Sequence, residues 1–191
     1  MRYFIIGFKN SGKTTFGRKL AEELGLDFLD LDEFIEVSEG KGIPELYTRL
    51  GEERFRRLEW KALKEAVKND NMILSTGGGA PCNCDNMSLM EQYGDVIYLK
   101  VSDETLVSRL KIAAEDRPIV LGKTEEELKQ YIAELRNKCE HHFLRARFVA
   151  DGENLNMNEF IRELRNSQKG KSFSPPSSAS PGVSGSKPAS E

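Results

Sequence analysis

Gly7-Phe8-Lys9-Asn10-Ser11-Gly12-Lys13-Thr14, near the start of the chain, sets two glycines five apart and follows the second at once with a lysine and a threonine. This G-x-x-x-x-G-K-[ST] pattern suits a polyphosphate. The backbone N–H groups of a tight loop point inward, and the helix that follows adds its positive end at the same spot. Lys13 supplies a movable charge for the β- and γ-phosphates, and the Thr14 hydroxyl is placed to ligate Mg2+. Asn10, Ser11, Gly12 and Thr15 complete the expected nucleotide-binding set. Asn10 stands where many such loops carry glycine, and Asn is among the non-glycine residues best tolerated at positive φ, so the turn remains open to it.

Such a loop needs a strand before it and a helix after it. Tyr3-Phe4-Ile5-Ile6 is the apolar run, and Phe16, Leu20, Ala21 and Leu24 recur at helical spacing until Gly25 stops the helix. Gly17 inside that helix costs about 1 kcal/mol against Ala, which points to a close approach by another element. Asp27-Phe28-Leu29-Asp30-Leu31-Asp32 reads as a second strand that delivers Asp30 and Asp32 to the same edge; the competing reading is a helix N-cap beside a solvated aspartate. Helical patterns fill 32–69, with a break near Gly40 to Pro44. Met72-Ile73-Leu74-Ser75 is a third strand and runs into Thr76-Gly77-Gly78-Gly79-Ala80-Pro81. Three glycines there let backbone approach a ligand without intervening Cβ atoms.

Val96-Ile97-Tyr98-Leu99 and Arg147-Phe148-Val149-Ala150 supply two further strands, Thr124 caps a helix with Glu127 at its third position, and a closing helix covers Asn158 to Arg165. The alternation predicts an α/β fold: a doubly wound parallel sheet of five strands flanked by helices. Residues 111–123, polar and holding Arg117-Pro118, are the expected lid, mobile without nucleotide. From Ser167 the chain turns to Ser, Pro, Gly and Lys. This predicts a kinase domain over 1–166 and a disordered tail over 167–191.

Bulk properties narrow the function. The net charge of -3 gives no basic stripe for nucleic acid, and no apolar stretch reaches the roughly 20 residues that span a bilayer. Cys82, Cys84 and Cys139 form neither an even disulfide set nor a zinc pattern. The expectation is a monomeric cytoplasmic enzyme acting on a small molecule.

From about Tyr3 to Asp151 the chain resembles the shikimate kinase family of the nucleoside monophosphate kinase-like phosphate-loop enzymes. The motifs appear in order: Gly7 to Thr14; Asp30-Leu31-Asp32; Gly51-Glu52 with Phe55-Arg56-Arg57 and Glu59; Gly77-Gly78-Gly79; Arg117-Pro118; and Arg136. The resemblance implies transfer of the ATP γ-phosphoryl to the 3-hydroxyl of shikimate in aromatic amino-acid biosynthesis, with ATP and Mg2+. Carried over by motif, Lys13 and Thr14 handle phosphates and metal, and Asp30 holds the metal through water. Asp32 contacts the substrate hydroxyls, Arg56 and Arg136 grip the carboxylate, Gly77 to Gly79 line the ring, and Arg117 is the lid arginine. Lys13, Asp32 and Arg117 form the catalytic set.

The chemistry supports these roles without the name. A loose phosphoryl-transfer transition state asks for positioning and charge neutralisation, and a carboxylate is best met by the planar guanidinium fork. Asp32, at an ordinary pKa of about 3.9, is expected to orient the hydroxyl and accept its proton late. Glu59 lies three residues after Arg56, a spacing at which it steadies the guanidinium. Arg136 departs from the family pattern, because Asn137-Lys138-Cys139-Glu140-His141-His142 follows it and leaves Lys138 as a rival in a shifted register. Two other readings are a gluconate-type or nucleotide kinase and a non-catalytic nucleotide-binding module. The first does not need carboxylate-gripping arginines, and the second does not need Lys13, Thr14, Asp30, Asp32 and Arg117 together.

Overall fold

The computed structural model describes residues 1–112 and 123–168. Most of the expected lid, including Arg117, and the tail beyond Gln168 lie outside the described residues.

Side chains alternate across β1 (Arg2–Ile6): Phe4 and Ile6 enter one apolar layer, Tyr3 and Ile5 the opposite one. A parallel strand covered on both faces has this character. β3 (Met72–Ser75) and β4 (Asp95–Lys100) flank β1, with β2 (Asp27–Asp30) and β5 (Phe148–Asp151) at the edges. The order is β2-β3-β1-β4-β5 and every pairing is parallel. α1 (Lys13–Leu24) and α8 (Met157–Gln168) cover one face through Phe16, Leu20, Phe160, Ile161 and Leu164. The other face carries α2 (Leu31–Glu39), α3 (Ile43–Leu50), α4 (Glu52–Ala66), α5 (Asn86–Tyr93), α6 (Asp103–Ile112) and α7 (Glu125–Phe143). Side chains such as Leu20 and Leu63, fully buried in these layers, each stabilise by roughly 2 kcal/mol.

Local signals in the sequence have direct counterparts. A Cβ on Gly17 would come within 2.5 Å of the Phe28 ring and 2.9 Å of Ile5 Cδ1, so α1 lies against the sheet at the one place where it lacks a side chain. Gly25 ends α1 at φ 66. At the start of α7, Glu127 N donates to Thr124 Oγ1 at 3.2 Å and Thr124 N donates to Glu127 Oε2 at 2.7 Å, a reciprocal cap.

Two boundaries differ from expectation. β2 stops at Asp30, because its carboxylate accepts the Asp32 N–H at 3.0 Å and turns the chain into α2; Asp32 therefore sits in a first helical turn and not on a strand. α8 runs to Gln168, past the expected domain end at 166, with Ser167 Oγ donating to Leu164 O and Gln168 Nε2 donating to the Tyr3 hydroxyl.

The carboxyl ends of β1, β2 and β3 thus present the phosphate loop, Asp30 and Gly77 side by side. In a doubly wound sheet ligands bind at this edge.

Candidate active site

The loop between β1 and α1 is held by backbone geometry. Gly7 has φ 147, and a Cβ there would lie 2.7 Å from Leu99 O on β4. Asn10 adopts φ 65, as its residue type allows, and Gly12 caps α1 at φ 97. Ser11 N donates to Phe8 O at 3.2 Å. Arg109, reaching over from α6, donates from Nη1 to Ser11 O at 2.5 Å and to Asn10 O at 3.3 Å. The sequence reading missed Arg109. A cation in the last turn of a helix is ordinary dipole compensation, and nothing local marks it as a clamp on a distant loop.

No side chain caps the start of α1 and its first turn holds no acidic residue, so the positive helix end is left for an anion. Ser11 Oγ is buried without a hydrogen-bond partner among the described residues. Lys13 is 8% exposed, and its Nζ donates to Phe8 O at 2.8 Å, folded back along its own loop. Thr15 is exposed one residue further on.

Thr14 Oγ1 donates to Asp30 Oδ2 at 2.7 Å. A hydroxyl and a carboxylate beside a phosphate cradle are hard oxygen donors and fit Mg2+, which keeps several waters and takes phosphate oxygens. Among the described residues no cluster of three or more His, Cys, Asp or Glu side chains is placed to hold a metal.

The three glycines after β3 act as a ruler for the neighbouring pocket. A Cβ on Gly77 would lie 2.9 Å from both Asp32 Oδ1 and Glu59 Oε1, one on Gly78 would lie 2.7 Å from Lys9 N, and one on Gly79 would lie 2.8 Å from Arg56 Nη2. Asp32, Glu59, Lys9 and Arg56 are thereby gathered around one strip of bare backbone. Arg56 Nη1 donates to Glu59 Oε2 at 3.0 Å, and its guanidinium stands 5.9 Å and 5.4 Å from the ring centroids of Tyr47 and Phe55. The bond to Glu59 follows from the i, i+3 spacing read in the sequence.

Burial pushes the Glu59 carboxyl up to about 7, with Arg56 pulling it down and Asp32 pushing it further up. Asp32 is likewise raised, first by burial and then by Asp30, against the pull of Lys13 and Lys9. It is a better proton acceptor than the ordinary aspartate the sequence suggested.

Arg56 also borders a cavity of about 500 Å³, lined besides by Glu52, Glu53, Arg57, Asn83, Cys84 and Lys138. Arg136, the expected second carboxylate ligand, does not reach it. Arg136 Nε donates to Asp103 Oδ1 at 2.9 Å, Nη1 donates to Glu140 Oε1 at 2.7 Å, Nη2 donates to Val101 O at 3.2 Å, and the group lies 4.9 Å from the Phe8 ring centroid. Two positions along a helix turn a side chain by about 200°, so α7 cannot aim both Arg136 and Lys138 at one cavity. Lys138 is the residue it aims there. Behind it, the Cys139 thiol on α7 and the Cys82 thiol in the turn that follows Gly79 are close enough to shift one another, Cys82 upward and Cys139 downward; Cys84 is exposed. Arg117 lies outside the described residues.

Similarity to known proteins spans this whole arrangement. The family model for shikimate kinase matches residues 9–167. Shikimate kinase from Parabacteroides distasonis is 38% identical over 165 residues, covering 86% of this chain and 95% of that protein. Among solved structures, the shikimate kinase from Bacteroides thetaiotaomicron has a TM-score of 0.80 at 35% identity, covering 88% of this chain and 98% of that one. The Acinetobacter baumannii shikimate kinase in complex with shikimate has a TM-score of 0.77 at 30% identity, covering 89% and 95%. A match running from the phosphate loop into the last helix, at this identity and coverage, makes the chain a member of the shikimate kinase family of phosphate-loop small-molecule kinases.

Proposed function

We propose that the chain transfers the γ-phosphoryl of ATP to the 3-hydroxyl of shikimate, giving shikimate 3-phosphate and ADP on the route to aromatic amino acids. The observation that carries this reading is the glycine strip. It sets a hydroxyl-orienting carboxylate, Asp32, at Gly77 and a carboxylate-binding guanidinium, Arg56, at Gly79, directly beside the phosphate loop. A small hydroxylated acid has two such ends.

In this mechanism the α1 N-terminus and the loop N–H groups of residues 10–14 bind the triphosphate. Lys13 exchanges its bond to Phe8 O for the β- and γ-phosphate oxygens. Thr14 and Asp30 would hold Mg2+, which supplies charge neutralisation at the phosphates when bound. Asp32 aligns the acceptor hydroxyl. As the new O–P bond forms and the bridging O–P bond to ADP breaks, the hydroxyl proton passes to Asp32. Arg56 and Lys138 take the substrate carboxylate, Arg56 through its planar fork and Lys138 as a point charge from α7. Arg117 is assigned to the nucleotide by motif. We assign no nucleic-acid, membrane or protein partner and a monomeric cytoplasmic state; no helix among the described residues is long and apolar enough to cross a membrane.

A coupled ADP-release assay across shikimate, gluconate and nucleoside monophosphates tests the reading. ADP release stimulated by shikimate above the others is expected. Stimulation by another acceptor alone, or by none, overturns the assignment.

A further inference from the structure

The phosphate loop carries two lysines, and the reaction described above uses one. Lys13 belongs to the motif, whereas Lys9 occupies one of the motif's four unspecified positions. Its place is set by packing: a Cβ on Gly78 would lie 2.7 Å from Lys9 N, 3.2 Å from its Cα and 3.3 Å from its Cβ. Gly78 stands between Gly77, which abuts Asp32, and Gly79, which abuts Arg56. Lys9 therefore rises from the wall of the acceptor pocket, between the group that orients the hydroxyl and the group that binds the carboxylate. Its side chain is exposed, and its ammonium is near enough to the Asp32 carboxylate to favour that group's charged form, as Lys13 also does.

That position matters for the direction in which charge moves. During transfer the phosphoryl group leaves the nucleotide and arrives on the acceptor oxygen, where a neutral hydroxyl becomes a dianionic phosphate ester. Asp32, the acidic group already at that spot, opposes the arriving charge until it takes the hydroxyl proton, and the nearby Glu59 is engaged by Arg56. Lys13, based at the start of α1, serves the donor side. We propose that Lys9 is a second catalytic cation of the transfer, meeting the phosphoryl group on its acceptor side while Lys13 holds it on the donor side. This inference rests on the acceptor assignment made above and deepens it. An interaction made only with the group in flight raises kcat and leaves nucleotide binding alone.

The test is steady-state kinetics of Lys9→Met and Lys9→Arg beside the unaltered full-length chain, with thermal unfolding of all three. The unaltered chain's rate with shikimate reports on the acceptor assignment, whereas the ratio of each variant to it reports on Lys9, so the two ideas fail separately. Lys9→Met is expected to lose about 10- to 100-fold in kcat with the KM for ATP within about threefold and the melting temperature unchanged. Lys9→Arg, which keeps the charge, is expected to recover most of that loss. A Lys9→Met enzyme with near-normal kcat overturns the proposal, and so does a loss confined to the KM for ATP.

Discussion

Glu59 touches no substrate in the proposed mechanism, yet Arg56 leans on it, and it is almost wholly removed from water. Its carboxyl shifts from an ordinary 4.5 to about 7 on folding, so the folded state binds its proton more tightly than the unfolded chain does. Stability from this group is full below pH 4.5 and is lost as pH rises to about 7, on the order of 3 kcal/mol in total. Glu59→Gln removes the titration, so the variant should gain on the parent between pH 5 and pH 8. Parallel melting curves for the two across that range would show that Glu59 does not titrate there. The bond to Arg56 was legible in the sequence because helical spacing alone brings i and i+3 together. The choice between Arg136 and Lys138 was not, because the rotation of α7 is set by Leu128, Ile132, Cys139 and Phe143 packing into the core. Lys138→Ala should raise the KM for the acid substrate about tenfold, from the loss of one charge-assisted contact, and leave that for ATP alone. Arg136→Ala should leave both within about threefold and lower the melting temperature, since Asp103 and Glu140 lose their partner. The reverse pattern would return the carboxylate to Arg136.

At the scale of elements, the segment after β3 works because of what its glycines lack. The neighbours differ in how far they can yield. Gly78 abuts the backbone nitrogen of Lys9, which cannot swing aside, whereas Gly79 abuts the end of the Arg56 side chain, which can. Gly78→Ala should therefore displace the phosphate loop, raising KM for both substrates and lowering kcat, while Gly79→Ala should raise chiefly the KM for the acid. Equal, mild effects from both would mean that the strip is not the rigid wall described. The sequence showed that three glycines ended a buried strand, but not which group each one faces, because those contacts come from three separate elements. The cap on α7 and the stop at Gly25 were legible, being local hydrogen-bond chemistry. The end of β2 was not, because Asp30 serves as strand terminus, helix cap and Thr14 partner together. α5 also escaped: its first residue, Asn86, is a fully buried polar side chain bonded to Ala80 O, which interrupts the apolar period that reveals a helix.

For the molecule as a whole, apolar runs announced β1, β3 and β4, since parallel strands covered on both faces must be apolar, while the edge strands β2 and β5 show only short apolar stretches beside Asp27, Asp30 and Asp151. Their order was not in those runs, because it depends on which side each crossover helix passes. Among the described residues the two faces are unequally served: six helices cover one, while α1 and α8 cover the other. α8 is thus half of a layer. Phe160, Ile161 and Leu164 pack there with Tyr3, Ile5, Phe16 and Leu20, and burying three such side chains stabilises by roughly 5–9 kcal/mol. A domain of this size has a net stability of about 5–15 kcal/mol, so removing the helix takes from about a third to all of it, and exposes the apolar layer it covered. A chain ending at residue 156 should fail to fold, by far-UV circular dichroism and by activity. A chain ending at Gln168 keeps the described contacts of α8, including the bond from Gln168 to the Tyr3 hydroxyl, and discards only the Ser-, Pro- and Gly-rich stretch. It should melt within about 2 °C of the full chain and turn over at the same rate. A clearly lower melting temperature for that truncation would mean that residues 169–191 contribute to the fold despite their composition, and the domain boundary would have to move beyond the last helix.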